Sequence, residues 1–242
     1  MPIVVRRLNL DATWHLDVDG VGLLFDPWLV GSEVDVGPWF HEAWHTGPVV
    51  APDAIPPTSL VVVSQSWTDH DHPATRAALA HLPTAGVPGV ANATPIPLWG
   101  EAPLQHQGLK IWRLSKPWWR PPAYHAVVVI TPDHRAVVHA PHGLPAPEAR
   151  KLRAELEAMG ASVALLAISR VAYLLPPWLG GAVNPGAQAA HAAVEALRPA
   201  FVLPVHDEDK REVGLVARSA RRIAAGPVDG DLPTDALGPW TL

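Results

Sequence analysis

The segment Gln65-Ser66-Trp67-Thr68-Asp69-His70-Asp71-His72 crowds two carboxylates and two imidazoles into its last four positions, after the apolar run Leu60-Val61-Val62-Val63 and before Pro73. A buried strand that ends in such a cluster just ahead of a helix is where an α/β protein sets a metal ion or a catalytic group. Other apolar runs end comparably, at Asp26-Pro27, Pro141-His142-Gly143 and Pro204-Val205-His206. Imidazole and carboxylate at these ends can bind a divalent ion or transfer protons. The chain has no cysteine, which excludes disulfides, thiolate metal sites and a cysteine nucleophile. Any metal must be held by His, Asp or Glu.

The elements that position these groups follow from hydrophobic periodicity. Trp14, Leu16 and Val18 alternate with His15 and Asp17, Asp19-Gly20 signals a tight turn, and Val21 to Phe25 is an apolar strand. From Trp28 to Pro57 the chain is rich in Pro, Gly and Trp without a sustained period, which predicts a long ordered loop, a kind of segment that usually serves function. A helix is expected from about Pro73 to Leu82, with Pro at its first position and Asp71 or His72 as cap. Leu109 to Leu114 alternates as a strand, and Ala126–Ile130 with Ala136–His139 forms a hairpin around Pro132-Asp133. Thereafter helices and strands alternate: helix 147–159, strand 163–168, helix 187–197, strand 201–205 and a last helix over about 210–224. Hairpins followed by helix–strand alternation imply sheets with helices outside, in one domain over residues 1–242.

Composition narrows the function classes. With 242 residues and 48% hydrophobic content, one large core can be buried. A formal net charge of -5 is too small and of the wrong sign for a nucleic-acid footprint, and Arg6-Arg7 and Arg218/Arg221/Arg222 read as solvated faces. No apolar run reaches the ~20 residues of a membrane span, and the N-terminus lacks a signal-peptide core, so a cytoplasmic protein without membrane partners is expected.

The order of these motifs resembles the metallo-β-lactamase superfamily over nearly the whole chain, and in particular its lactonase-type and plant/cyanobacterial metal-dependent hydrolase-like branch. That family carries His-x-His-x-Asp-His, where this chain has Gln65 and Trp67 in place of the first two histidines. In the plant/cyanobacterial group the motif also reads Gln-x-x-x-Asp-His-x-His, Asp-Pro-Trp-Leu follows the first hairpin as at Asp26 to Leu29, and Pro-Trp-x-Arg-Pro recurs as at Pro117 to Pro121. The resemblance implies an α+β protein, a four-layer αβ/βα sandwich with its site at the open edge between two sheets. It implies a first metal position without ligands, since its places fall on Gln65, Trp67 and Ser115-Lys116. The second position is matched by Asp69, His70 and His206, with His142 where the family has a bridging aspartate.

These donors suit one divalent metal, zinc foremost, with Mn, Fe or Ni also accommodated; the alternative is a metal-free polar cluster. The function implied is hydrolysis of an ester, lactone or phosphoester by a metal-activated water, with Asp69 or His72 moving the proton and Lys116 or Gln65 stabilising the developing charge. A non-catalytic small-molecule-binding protein on the same scaffold is the second reading.

Further signals compete with plainer explanations. His41-Glu42-Ala43-Trp44-His45 matches the His-Glu-x-x-His zinc-protease motif, but Gly37-Pro38 and Gly47-Pro48 leave too little room for a stable helix, which favours a loop over the site mouth. His72 is read either as a helix cap or as a site residue, and His139 as a hydrogen-bonded wall residue. Asp26 serves either turn chemistry or the orientation of a ligand. Among the 11 tryptophans, Trp67 and Trp118, with Arg120 and Asp26, are candidates for an apolar cleft with an anion-binding end formed by Lys116 and Arg120, suited to an aromatic or amphipathic, anionic small molecule.

Overall fold

The computed structural model describes residues 1–115, 125–224, 226–228, 230–233 and 237–242. Two sheets organise it. Seven strands form the first, in the order Trp240–Thr241, Ile3–Arg7, Trp14–Val18, Val21–Phe25, Leu60–Val63, Thr84–Gly86 and Thr94–Pro95. The second has six, in the order Phe201–Val205, Ser162–Ser169, Arg135–Ala140, Ala126–Ile130, Leu109–Leu114 and Leu104–His106.

Strand alternation decides what lies between them. Trp14, Leu16, Phe25 and Val62 of the first sheet pack against Val127, Val137, Leu165 and Leu203 of the second in one buried cluster. The intervening residues face the other way and need a second cover. On the first sheet, Val61 and Val63 pack with Leu79, at the C-terminal end of α1 (Pro73–Ala78). On the second, Val138, Leu166 and Ile168 are covered by Leu152 and Leu156 of α2 (Ala146–Ala158) and by Ala190 and Ala193 of α3 (Ala187–Leu197). Each fully buried Val or Leu contributes about 1.5–3 kcal/mol, so both faces of both sheets are held by the same force. Helix, sheet, sheet, helix is the four-layer sandwich expected from the sequence. The parallel neighbours Arg135–Ala140, Ser162–Ser169 and Phe201–Val205 are joined through α2 and α3, because parallel pairing requires such crossovers.

Two sequence expectations fail, and both failures build the walls of a cleft. The segment from Trp28 to Pro57 is not an unbroken loop: Glu33–Asp35 pairs with His41–Trp44 across a turn at Val36-Gly37, and a short 3-10 turn follows at Pro52–Ala54. The helix expected over 210–224 is reduced to α4 (Gly214–Ser219) between two strands, Arg211–Val213 and Arg221–Ile223. Gly214 explains the break, because its φ of +97° is left-handed and a Cβ there would lie 2.6 Å from the Phe40 carbonyl oxygen. The flanking strands then find partners, Arg211–Val213 on His41–Trp44 and Arg221–Ile223 on Ala172–Leu174. Two three-stranded sheets result, one of them completed by Ala182–Pro185. Helix α1 also stops at Ala78 rather than Leu82, and Ile3–Arg7, for which the sequence predicts no element, is a strand.

Candidate metal centre

Three imidazoles converge where the strands of the sandwich end. His70 follows Leu60–Val63 through a tight turn in which its amide donates to the Trp67 carbonyl, His142 follows Arg135–Ala140, and His206 follows Phe201–Val205. Their ring centroids lie 4.9 Å (His70–His142), 5.2 Å (His70–His206) and 5.1 Å (His142–His206) apart. One nitrogen from each falls within 4.8 Å of the other two. All three residues are buried.

The far side of each ring is tied to an acceptor. His70 Nδ1 donates to Asp26 Oδ2 at 2.7 Å, His142 Nδ1 to Asn184 Oδ1 at 2.6 Å, and His206 Nδ1 to Asp11 Oδ1 at 2.7 Å. A carboxylate or amide oxygen only accepts, so each Nδ1 carries the hydrogen and each neutral ring turns an Nε2 lone pair inward. His70 Nε2 and His142 Nε2 face each other at 2.9 Å, and two lone pairs at that distance repel unless a proton or a cation lies between them. His206 Nε2 is buried and has no hydrogen-bond partner among the described residues. A proton shared by His70 and His142 would leave His206 unanswered, whereas a cation answers all three, so the donor set fits a metal ion. Asp69 Oδ2 lies 3.4 Å from His70 Nε2, and with Asp11 and His206 it forms a second, adjoining group of candidate ligands.

Electrostatics in the metal-free protein agree with this geometry. Burial opposes a charge on His70, but Asp69 and Asp26 raise its pKa to about 9. Burial, reinforced by His70 and His206, pushes His142 well below the ordinary imidazole range. His70 therefore holds the proton that an ion would displace.

Asp26 is the anchor of the cluster. It is fully buried, and burial alone would raise its pKa, yet His70 and His139 hold it well below the usual carboxylate range. Its oxygens accept from His70 Nδ1, His139 Nε2 (2.6 Å), Ser64 Oγ (2.6 Å) and Ser64 N (2.7 Å). Both Asp26 (φ 44°) and His206 (φ 56°) occupy the left-handed region, a conformation that non-glycine residues keep only where surrounding contacts enforce it. The substrate-binding role expected for Asp26 is corrected: with no exposed surface and both oxygens engaged, it orients His70.

The other expected site residues divide clearly. Trp67, 41% exposed, lines a cleft of about 220 Å³ together with Asp69, His142 and His206. Gln65 does not line that cleft; it is buried and its amide donates to the His125 carbonyl at 2.9 Å, so a charge-stabilising role is corrected to a structural one. His72 caps α1, with Nδ1 accepting from Thr75 N at 3.2 Å and Nε2 bonded to the Ser32 carbonyl, and so has no nitrogen left to move a proton at the cluster. Lys116, Trp118 and Arg120 lie outside the described residues. The His-Glu-x-x-His motif sits on the His41–Trp44 strand rather than a helix, and its histidines serve different places: His41 lines the cleft, and His45, just past the strand's end, binds Glu208 at 2.6 Å. His139 is a hydrogen-bonded wall residue, between Asp26 and Trp14 Nε1.

Sequence reasoning missed Asp11, Asn184, Glu33 and Lys210. Asp11 stands in a turn held by Asn9 Oδ1, which accepts from the amides of Asp11 (3.0 Å) and Thr13 (3.1 Å), and the His206 amide docks on the Asp11 carbonyl at 3.2 Å. The Asn-x-Asp spacing is an Asx-turn signal that could have located this turn, though not its partner. Lys210 Nζ reaches Asp11 Oδ2 at 3.4 Å and Glu33 Oε1 at 3.2 Å and lies 5.1 Å from the Trp28 ring centre. Burial opposes its charge, but Asp11 and Glu33 lift its pKa well above the ordinary lysine value.

No sequence-family model matches the chain, and no curated protein matches it in sequence. Solved structures do match in fold. The metallo hydrolase Igni18 from the archaeon Ignicoccus hospitalis superposes with a TM-score of 0.54 at 18% identity, over 85% of this chain and 83% of that one. The isothiocyanate hydrolase from Delia radicum gut bacteria gives 0.59 at 16% identity, over 85% and 84%. The diiron β-hydroxylase CmlA from Streptomyces venezuelae gives 0.58 at 14% identity, over 84% of this chain and 44% of that one.

Proposed function

We propose that the chain is a metal-dependent hydrolase on the metallo-β-lactamase fold, acting on a small molecule, with one divalent ion held by Nε2 of His70, His142 and His206 and by Asp69. The observation that carries this reading is the set of three inward lone pairs, each fixed by an acceptor behind its ring, with His206 Nε2 unpartnered. Zinc suits three imidazoles and a carboxylate best, and Mn, Fe or Ni can replace it. A divalent ion there supplies Lewis acidity and makes water a nucleophile at neutral pH.

The chain's own residues do the rest. Asp26, Asn184 and Asp11 keep the three rings in one tautomer and orientation, so no reorganisation is needed when charge develops. Asp69, at the floor of the cleft and 16% exposed, is the group placed to accept a proton from attacking water and return it to the leaving group. Lys210, pinned between Asp11 and Glu33 on the cleft wall, places a fixed positive charge beside the floor and offsets the negative charge that builds on an attacked carbonyl. Trp67 gives the leaving group an apolar surface. An ester or lactone fits this arrangement, and a phosphoester is the second class.

Metal analysis of protein purified without added metal, repeated after zinc reconstitution, tests the proposal. One ion per chain, lost in His70→Ala and in His206→Ala but retained in Gln65→Ala, is expected. Failure of the parent to take up zinc overturns it in favour of a metal-free binding protein on the same scaffold.

A further inference from the structure

The apolar side chains that meet water are unevenly placed. Among the described residues eight large ones are exposed, and six of them, Val36, Trp39, Trp67, Trp178, Val213 and Ile223, belong to the cleft or to the small sheets and turns that wall it. The two turns at its rim are the extreme cases. Trp39 is 69% exposed beside Phe40, and Trp178 is 69% exposed beside Leu179. Phe40 and Leu179 both line the cleft, so each small sheet sets one tryptophan at the rim. Val36, 76% exposed, shares the Trp39 turn. Both tryptophans are held: the Trp39 ring lies edge-on to Phe40 at 5.7 Å and its carbonyl accepts from Leu215 N at 3.0 Å, while Trp178 sits on the 3-10 turn Pro177–Leu179. An indole, apolar in body with one N–H to offer, suits the boundary between lipid and water.

Charge is a second, independent observation. Residues 211–223 hold four arginines and one glutamate in a chain of net charge -5. Alternation divides them: Glu212 and Arg222 line the cleft, whereas Arg211, Val213, Arg221 and Ile223 are exposed on the other faces of their strands. Arg218 of α4 is exposed as well, one turn beyond the Leu215 amide that holds the Trp39 carbonyl. Arg221 pairs in register with Leu174, just ahead of the turn that carries Trp178. Among the described residues Arg211, Arg218 and Arg221 have no carboxylate partner, and Arg211 lies over the Trp44 ring at 4.1 Å. The carboxylates nearby are turned inward or engaged. Glu33, Asp35 and Glu212 line the cleft, Glu42 accepts from Ser32 Oγ at 2.9 Å, and Asp209 is set against Arg222 at 3.7 Å. The outward charge of the rim is therefore positive on an acidic protein.

We infer that this rim docks the protein on an anionic lipid surface, with Trp39 and Trp178 among the headgroups, Arg218 and Arg221 against their phosphates, and the cleft opening toward the lipid. Among the described residues no helix is long and apolar enough to cross a membrane, so the contact is peripheral. A second copy is a poorer occupant, because a two-fold contact sets the same patch against itself and brings like charges together. A single nucleic-acid strand stacked on both tryptophans would have to cross a cleft lined by carboxylates. The expectation of no membrane partner rested on the absence of a span and a leader, which says nothing about a peripheral contact. One consequence rests on the hydrolase reading: the substrate is then an ester whose apolar body passes from the lipid into the cleft along Leu175, Leu179 and Val183.

The test floats the metal-depleted full chain with vesicles of phosphatidylcholine alone or mixed with phosphatidylglycerol at roughly two to one. Binding to the mixed vesicles should be about ten-fold tighter or more, and should weaken as salt rises from about 0.05 to about 0.5 M. Arg218→Gln and Arg221→Gln should each cost about five-fold, and Trp39→Ala and Trp178→Ala each about three-fold or more. Arg150→Gln, exposed on α2, should leave binding unchanged, and a parental Tm shows that each variant is folded. No flotation, equal binding to both vesicle types, or mixed-vesicle binding indifferent to both tryptophans overturns the inference. So does a dimer in sedimentation that Trp39→Ala abolishes, which would make a second copy the occupant. Because these arms need no metal, failure here is separate from failure of zinc uptake, which bears on the hydrolase reading alone.

Discussion

Replacing Asp26 by Asn keeps the volume and the tolerance of a left-handed backbone, while one acceptor oxygen becomes a donor and the charge is lost. Asp26 Oδ2 receives His70 Nδ1, His139 Nε2 and Ser64 Oγ, and Oδ1 receives Ser64 N. Whichever way the amide turns, at least one buried donor meets an NH2 group, and both imidazoles lose a charged acceptor. A hydrogen bond to a charged group contributes about 1.5–3 kcal/mol, and breaking a buried network of this kind costs about 3–5 kcal/mol. In a domain of this size that corresponds to a fall in Tm of roughly 6–20 °C. Metal affinity should fall about 10–100-fold as His70 loses its orientation, which is about 1.4–2.7 kcal/mol. Thermal unfolding followed by circular dichroism, with zinc competition against a chromophoric chelator, reads both quantities. Asp71→Asn, which removes only the partly exposed pair with Arg76, is the control and should cost no more than about 1 kcal/mol. An Asp26→Asn protein with parental Tm and zinc affinity within two-fold would refute the claim that this carboxylate organises the centre.

Three more outcomes are expected. In the metal-free protein His70 has a folded pKa of about 9 against 6.5 for a free imidazole, so the stability it adds is complete below about pH 6.5 and disappears as pH rises through about 9. Urea titrations should show a loss of about 3 kcal/mol across that window without zinc and little change with zinc bound, since the proton has then been exchanged; a flat metal-free profile would contradict the assignment. Gly214→Ala should destabilise by about 2–3 kcal/mol in urea unfolding with zinc stoichiometry unchanged, because the strained backbone and the clash with the Phe40 carbonyl act on the cleft wall and not on the ion's seat. Leu165→Ala, between the two large sheets, should cost about 2–5 kcal/mol in urea unfolding with zinc stoichiometry unchanged.

How much of this was readable beforehand depends on where each residue gets its instructions. The hairpin Trp14–Val18/Val21–Phe25 and the helix Ala187–Leu197 follow their own local periodicity and turn chemistry, and they stand where the pattern puts them. His70, His142 and His206 were legible because each ends a strongly apolar strand, a position that marks chemistry in this class of fold. Their supporting acceptors were not. Asp11 and Asn184 lie in turns and short strands where Asp and Asn are ordinary, and only tertiary docking over 195 and 42 residues makes them partners of His206 and His142. The stretch from Lys210 onward has helix-forming composition, but pairing with His41–Trp44 overrides that preference. His72 next to Asp69-His70 looked chemical and is a cap, because proximity in sequence after a tight turn does not fix direction.

The floor of the cleft is rooted in the ends of core strands, whereas its sides hang on two small sheets that, among the described residues, share no hydrogen-bonded strand with the sandwich. Exchanging the flaps, segments 33–44 and 172–185 with Asn184 retained as the acceptor behind His142, would therefore leave the ion's seat intact. This division of labour makes the chain a convenient chassis: new substrate preferences could be selected by randomising the flaps alone, with zinc uptake as a constant check that the chassis has survived.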